Sequence, residues 1–157
     1  MRILVPLDGS SLAEEALPVA QSLAEVYSAE IVLVRVLDVS VPAELVTYPE
    51  AHWIREALQD SHREVQRYLE EKQNALGTAG VRTRIQVFDT SPAEEILFAA
   101  HNEAIDLIVM SSHGKGGDTR WTSGSVADKV MQHSPCPVLL IRKVEEESGA
   151  KEAHGPP

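Results

Sequence analysis

Five short apolar runs alternate with longer amphipathic stretches along this chain. The first, residues 2–7, is closed by Asp8-Gly9-Ser10, so it reads as a buried strand ending in a turn with Asp8 at its tip. Ser11-Leu12-Ala13-Glu14 then has the form of a capping box, and Ala16, Leu17, Ala20, Leu23 and Ala24 carry a helical stripe to about Tyr27. Pro18 is the expected place for a bend. Residues 30–37, dominated by Ile31, Val32, Leu33, Val34 and Val36, form the second strand, with Asp38 just beyond it. Residues 39–50 hold Pro42 and Pro49 and no period, as a loop acting as a wall or lid would. From 51 to about 76 the spacing of Ile54, Leu58, Val65, Tyr68, Leu69 and Leu76 predicts a helix with one face on a sheet, ended by Gly77 and Gly80.

Residues 81–88 alternate apolar with polar side chains, including Arg82, Arg84 and Gln86, which suits an edge strand. Ser91-Pro92-Ala93-Glu94 is a second capping box, opening a helix to about Asn102. Residues 107–110 are a fourth strand, 125–131 a short helix and 138–141 a fifth strand. The polar stretch after Val144 reads as a disordered tail. The expected organisation is one α/β domain over 1–144 followed by a tail over 145–157. That domain is doubly wound and Rossmann-like, with a mainly parallel five-stranded sheet and about four helices.

Composition sharpens this picture at three points. An apolar fraction of 43% with only 4% aromatics describes a core of Val, Leu, Ile and Ala, as in a sheet covered by helices on both faces. A net charge of −10 argues against affinity for nucleic acid or acidic membranes, and any anionic ligand must be met by local donors. A single cysteine, Cys136, gives no internal disulfide and suits a small buried role in a reducing compartment. With no secretory h-region and no membrane-length apolar run, a cytoplasmic location is expected.

Candidate chemistry gathers between 107 and 125, where an apolar strand opens into Ser111-Ser112-His113-Gly114-Lys115-Gly116-Gly117 and closes on Gly124-Ser125 before a helix. Strand, glycine-rich loop and helix N-terminus together make an anion site, because free first-turn amides and the helix dipole face the ligand. The same residues also serve plain turns and caps, and both readings stand on the residues alone. The loop is no P-loop, since no Gly-Lys-Ser/Thr follows at that spacing, and Gly114-x-Gly116 lacks the third glycine of a dinucleotide fingerprint. In doubly wound sheets ligands sit outside the carboxyl ends of the strands, where Asp8, residues 36–38 and the 111–125 loop all fall. His52, Trp53 and His62 lack companions at metal spacing, so surface or core roles are expected and no metal ligand is assigned.

These residues resemble the adenine-nucleotide-binding branch of the universal stress protein family over 1 to about 143. The resemblance is carried by Val5-Pro6-Leu7-Asp8-Gly9-Ser10, by Val34-Arg35-Val36-Leu37-Asp38, by Ser112-His113-Gly114 with nine residues to Gly124-Ser125-Val126-Ala127, and by Pro135-Cys136-Pro137-Val138-Leu139. The family signature is glycine, two residues, glycine, nine residues, then glycine with serine or threonine; here Ser111 stands at the first glycine. Asp118 adds an acid to the loop, with Lys115, Arg120 or Mg²⁺ available to offset it.

The resemblance implies that Asp8 and the backbone of Val36 hold adenine, with Pro6 and Ser10 alongside, and that Met110-Ser111 lies under the ribose. Ser112, His113, Gly114, Gly124, Ser125 and Val126 then surround the phosphates. It implies ATP, ADP or AMP, with or without Mg²⁺, as the ligand of a regulatory homodimer in stress response. The apolar edge strand 138–141 is the expected dimer contact. No catalytic residue is assigned, and hydrolysis is expected to be weak at most. The alternatives are a slow ATPase or phosphotransferase with His113 as its one nearby titratable group, and a nucleotide-free interaction module.

Overall fold

A computed structural model describes residues 1–37, 52–112 and 124–142. The expected lid 39–50, Asp38, the loop interior 113–123 and the tail lie outside the described residues. In chain order the elements are β1 (Arg2–Pro6), α1 (Ser11–Glu14), α2 (Ala16–Tyr27), β2 (Glu30–Leu37), α3 (His52–Thr78), β3 (Thr83–Asp89), α4 (Pro92–Asn102), β4 (Leu107–Ser111), α5 (Ser125–His133) and β5 (Val138–Ile141). The sheet runs β3-β2-β1-β4-β5 and every pairing is parallel.

Strand alternation divides the core into two layers. Ile3, Val5, Ile31, Leu33 and Val109 face α2 and α3, whereas Leu4, Val32, Val34, Ile108 and Met110 face α4 and α5. On α2 the inward positions are Ala16, Ala20 and Ala24, all buried, and these small side chains let the helix axis lie close over the sheet. α3 instead buries Ile54, Val65, Leu69 and Leu76. Helices on both faces, α2 and α3 with the short α1 on one and α4 and α5 on the other, make the doubly wound plan, and β3 is an edge strand as its alternation predicts.

Local chemistry differs from expectation in small ways. Ser10, not Ser11, caps α1: its Oγ accepts from the Ala13 N–H at 3.1 Å. The helix is broken at Glu15 rather than at Pro18 itself. Pro18 has no N–H for the Glu14 carbonyl four residues earlier, so the first turn ends there and Pro18 sits in the opening turn of α2. Ser91 precedes Pro92 at the start of α4 but makes no side-chain cap bond; the Thr90 hydroxyl donates to Glu95 at 2.6 Å instead. α3 runs through Gly77 to Thr78, and Gly80, at φ +81°, makes the turn into β3.

Two carboxylates outside the core are held by donors. Glu103, at the end of α4, accepts from Arg84 at 2.9 Å and Gln86 at 3.0 Å, and Arg84 also reaches Glu30 at 3.0 Å. The Arg84 hydrogen bond, followed by that of Gln86, holds the Glu103 carboxyl below its ordinary value. At Glu14 burial pushes upward, but hydrogen bonds from Lys72 and Tyr68 outweigh it and the net direction is again down. Because both folded-state values are depressed, their stabilisation is present above the ordinary carboxylate pKa of 4.5 and is lost as pH falls through the folded values. Thermal melts from pH 7 to 3 are expected to decline below that point, with a shallower acid limb in Glu14→Gln/Glu103→Gln. An unchanged limb in the double variant assigns the acid sensitivity to other carboxylates.

Candidate functional site

The strand order reverses beside β1: β2 and β3 continue to one side, β4 and β5 to the other. The crevice at the carboxyl ends of β1 and β4 is therefore the place where such a sheet receives a ligand. Asp8 follows β1, and Ser111 ends β4. β1 pairs with β2 as far as Pro6 opposite Val34, after which the Leu7 N–H donates to the Val34 carbonyl at 2.8 Å. The two-residue strand period puts the N–H and carbonyl of Val36 on that same side, past the end of β1 pairing. The Val36 side chain packs on the core beside Phe88, so only its main chain is available to a ligand.

Asp8, just past the carboxyl end of β1, makes the turn that sequence chemistry allows. Its Oδ1 accepts from the Ser10 N–H at 2.8 Å and from the Ser10 hydroxyl at 2.6 Å, and Ser10 in turn caps α1. Gly9 between them has φ +81°, which favours glycine. Pro6 is half-buried in the last position of β1.

On the other side, Ser112 is buried and bonded at both ends of its peptide. Its N–H donates to the Ile141 carbonyl at 2.9 Å, and its carbonyl accepts from the Gly124 N–H at 2.7 Å. That second bond ties the carboxyl end of β4 to the start of α5, whatever path 113–123 takes between them. Gly124 is the cap residue of α5 without a side-chain bond, and the Asp128 N–H donates to its carbonyl at 3.0 Å. The amides of Ser125, Val126 and Ala127 therefore have no partner within the helix and form its positive end. Gly124 has φ −64° and ψ 153°, which any residue adopts, so conformational freedom is not its reason for being glycine. Met110 is buried in the α4/α5 layer, so it can meet a ligand only through main chain, and Val126 packs half-buried against that layer. Ser111 is half-buried opposite Ile141, and Ser125 is exposed. His113 and Gly114 lie outside the described residues.

Pattern reading missed a cluster behind Asp8. Tyr68 donates to Glu14 at 2.8 Å, Lys72 donates to the same carboxylate at 2.7 Å, and the Arg35 guanidinium lies 4.9 Å from the Tyr68 ring centroid. Burial, then the Glu14 hydrogen bond, pushes the Tyr68 hydroxyl well above its ordinary range. The available signal was Arg35 itself, a charge interrupting an apolar strand.

His52 and Trp53 are exposed, and His62 pairs with Asp89 at 2.9 Å on the surface. Cys136 is half-buried against the α4/α5 layer, its N–H bonded to Ser134. Among the described residues no group of three or more His, Cys, Asp or Glu side chains could hold a metal ion, and no helix is long and apolar enough to cross a membrane.

The universal stress protein family model matches residues 1–142. A universal stress protein of Methanocaldococcus jannaschii is 33% identical over 150 residues, covering 93% of this chain and 84% of that protein. One from Bacillus subtilis is 34% identical, covering 90% and 98%. The solved structure of a universal stress protein from Lactobacillus plantarum superposes with a TM-score of 0.77 at 26% identity, over 90% of this chain and 97% of that one. Two more distant structures share the fold: a universal stress protein in complex with cyclic AMP, at 17% identity and TM-score 0.63, and an Arabidopsis thaliana family member with AMP bound, at 16% and 0.62.

Proposed function

The chain belongs to the universal stress protein family, and on that premise we propose that it is a regulatory protein that binds an adenine nucleotide at the β1/β4 crevice. One observation carries this reading. The Ser112–Gly124 bond of 2.7 Å sets the positive end of α5 at the same sheet end as the Asp8 carboxylate and the outlying main chain of Val36. The two halves suit opposite ends of one molecule. A carboxylate accepts from an exocyclic amine and repels phosphate, whereas free amides and the Ser125 hydroxyl attract anionic oxygens. Val36 supplies one main-chain donor and one acceptor, as the edge of adenine requires. The descriptions of two fold neighbours as holding AMP and cyclic AMP support the same ligand class.

In this reading Asp8, Ser10, Pro6 and the Val36 main chain take the base, Met110 and Ser111 underlie the ribose, and Ser112, His113, Gly114, Gly124, Ser125 and Val126 surround the phosphates. Mg²⁺ would accompany the phosphates of ATP. The test is mass spectrometry of small molecules released on denaturing the purified protein, joined to calorimetric titration with ATP, ADP and AMP. Release of an adenine nucleotide, or micromolar binding of one, supports the reading; neither leaves the family's interaction-module alternative. With the Asp8 carboxylate given to the base end and no catalytic residue assigned beside the phosphates, ATP turnover with Mg²⁺ is expected below about one per second. Vigorous turnover lost in His113→Ala would make the protein an enzyme.

We further read the molecule as a cytoplasmic homodimer assembled along β5. β5 is hydrogen-bonded to β4 on one side and ends the sheet on the other. Val138 and Leu140 pack inward, whereas Leu139 is 38% exposed, so Leu139 is the position that tests the contact without damaging the core. Light scattering of Leu139→Lys is expected to shift toward monomer mass. An unchanged dimer would move assembly to another surface.

A further inference from the structure

The cluster behind the Asp8 turn has a geometry that neither the capping of α1 nor the packing of α3 requires. Arg35 projects from β2 into the layer occupied by α2 and α3, the same side as Ile31 and Leu33 two and four residues before it. There the guanidinium lies against the Tyr68 ring, 4.9 Å from its centroid, while Lys72 approaches the same ring at 5.2 Å. The ring is anchored by its hydroxyl, which donates to Glu14 at 2.8 Å. Glu14 is the last residue of α1, the helix that the Asp8-Gly9-Ser10 turn leads into.

The guanidinium also occupies the space that a side chain at residue 9 would fill. A Cβ built on Gly9 would stand 2.7 Å from Arg35 Nη1 and 3.0 Å from both Cζ and Nη2. These three atoms are the head of the arginine side chain, which lies close beside Gly9. Gly9 itself joins Asp8 to Ser10, whose N–H and hydroxyl both bond the Asp8 carboxylate. The chain Glu14–Tyr68–Arg35 therefore reaches Gly9 in the middle of the turn.

We propose that Arg35 is a positioning residue for the adenine end of the site: held against Tyr68, it braces Gly9 and thereby the direction in which Asp8 presents its carboxylate. Gly9 is glycine for its positive φ, and the guanidinium lies in the space that its side chain would take. Lysine is not expected to replace Arg35 here, because its compact ammonium lacks the broad guanidinium head that lies beside both the ring and Gly9. The inference rests on the nucleotide reading above.

The test is a double-mutant cycle of Gly9→Ala, Arg35→Met and the pair, with AMP affinity by calorimetry and a thermal melt for each protein. Arg35→Met keeps the apolar stem and removes the planar head. Each single change is expected to weaken AMP binding about tenfold, and the pair about tenfold as well, since alanine at 9 then displaces nothing. Arg35→Lys is expected to be as weak as Arg35→Met. The melts report the φ strain at residue 9 separately, because that strain is present with or without the arginine. Full affinity in Arg35→Met, losses multiplying to about a hundredfold in the pair, or complete rescue by lysine would each overturn the proposal. Should Gly9→Ala fail to fold, the Arg35→Met and Arg35→Lys pair decides alone. Wild-type protein that binds no adenine nucleotide would refute the nucleotide reading and this inference with it, whereas tight wild-type binding left untouched by Arg35→Met refutes only the role of Arg35.

Discussion

Gly124→Val is expected to weaken ATP binding tenfold or more, about 1.4 kcal/mol, while leaving a folded protein. The backbone at Gly124, φ −64° and ψ 153°, is a conformation that valine favours, and the bond from its N–H to Ser112 needs no change. What changes is the space over the first turn of α5, where a branched side chain would stand between the free amides and any phosphate approaching them. Valine is also a poorer cap residue than glycine, so a small loss of helix stability accompanies the effect. Adenosine is expected to lose less than ATP, because the proposed base contacts at Asp8 and Val36 are untouched. Calorimetry with both ligands, alongside a melt, separates these outcomes. Equal losses would mean that Gly124 shapes the whole crevice, and no loss would remove the loop from the site.

Leu69→Ala is expected to cost about 2–5 kcal/mol of stability, the range for a large-to-small change at a site that cannot collapse. Leu69 is wholly buried in the α2/α3 layer, on the helix that also carries Tyr68 and Lys72. The vacancy would lie beneath α3 against the rigid floor of Ile31 and Leu33, and backbone held by two strand neighbours cannot sink to fill it. For a domain of this size each kcal/mol is about 2–4 °C, so the melting midpoint should fall by roughly 5–15 °C. A drop under about 3 °C would mean that α3 contributes little to the cooperative unit. Measured through the denaturant slope as well, the loss should appear as a lower midpoint with an unchanged m-value.

Periodicity carried most of the fold because the inner strands and the β3 edge leave different traces, although the β5 edge is apolar throughout. The unbroken run from Ile31 to Val34 marks an inner strand, and the polar alternation around Arg84 and Gln86 marks the rim. The switch point followed from that order, and with it the placement of Asp8 and Ser111. Sequence could not choose between Ser10 and Ser11 as the cap, since both carry the hydroxyl; only the bond between Ser10 and Asp8 Oδ1 aims one of them at Ala13. Tyr68 was counted with the apolar face of α3, which is where it lies, but its hydroxyl partner Glu14 is 54 residues away and no period records such a pairing. For Val36 and Met110 the usable atoms are main-chain atoms, which sequence names only through the strand that presents them.

The central position of β1 also has a consequence for how the molecule comes into being. Ile3 meets Ile31 on one side and Leu107 on the other, so half of its pairing is close in the chain and half is remote. On the ribosome, β1, β2 and β3 can assemble with α2 and α3 well before β4 is made, at low loop-closure cost. That nascent half already contains Asp8, Val36 and the Arg35 brace. Its other face, however, leaves Leu4, Val32 and Val34 bare until α4 and α5 arrive, a surface that holdase chaperones or like chains would recognise. The donors of α5 come last. On the proposed reading, a nucleotide that spans both halves would have full affinity only for a finished chain, and by mass action it would favour completed molecules over arrested ones.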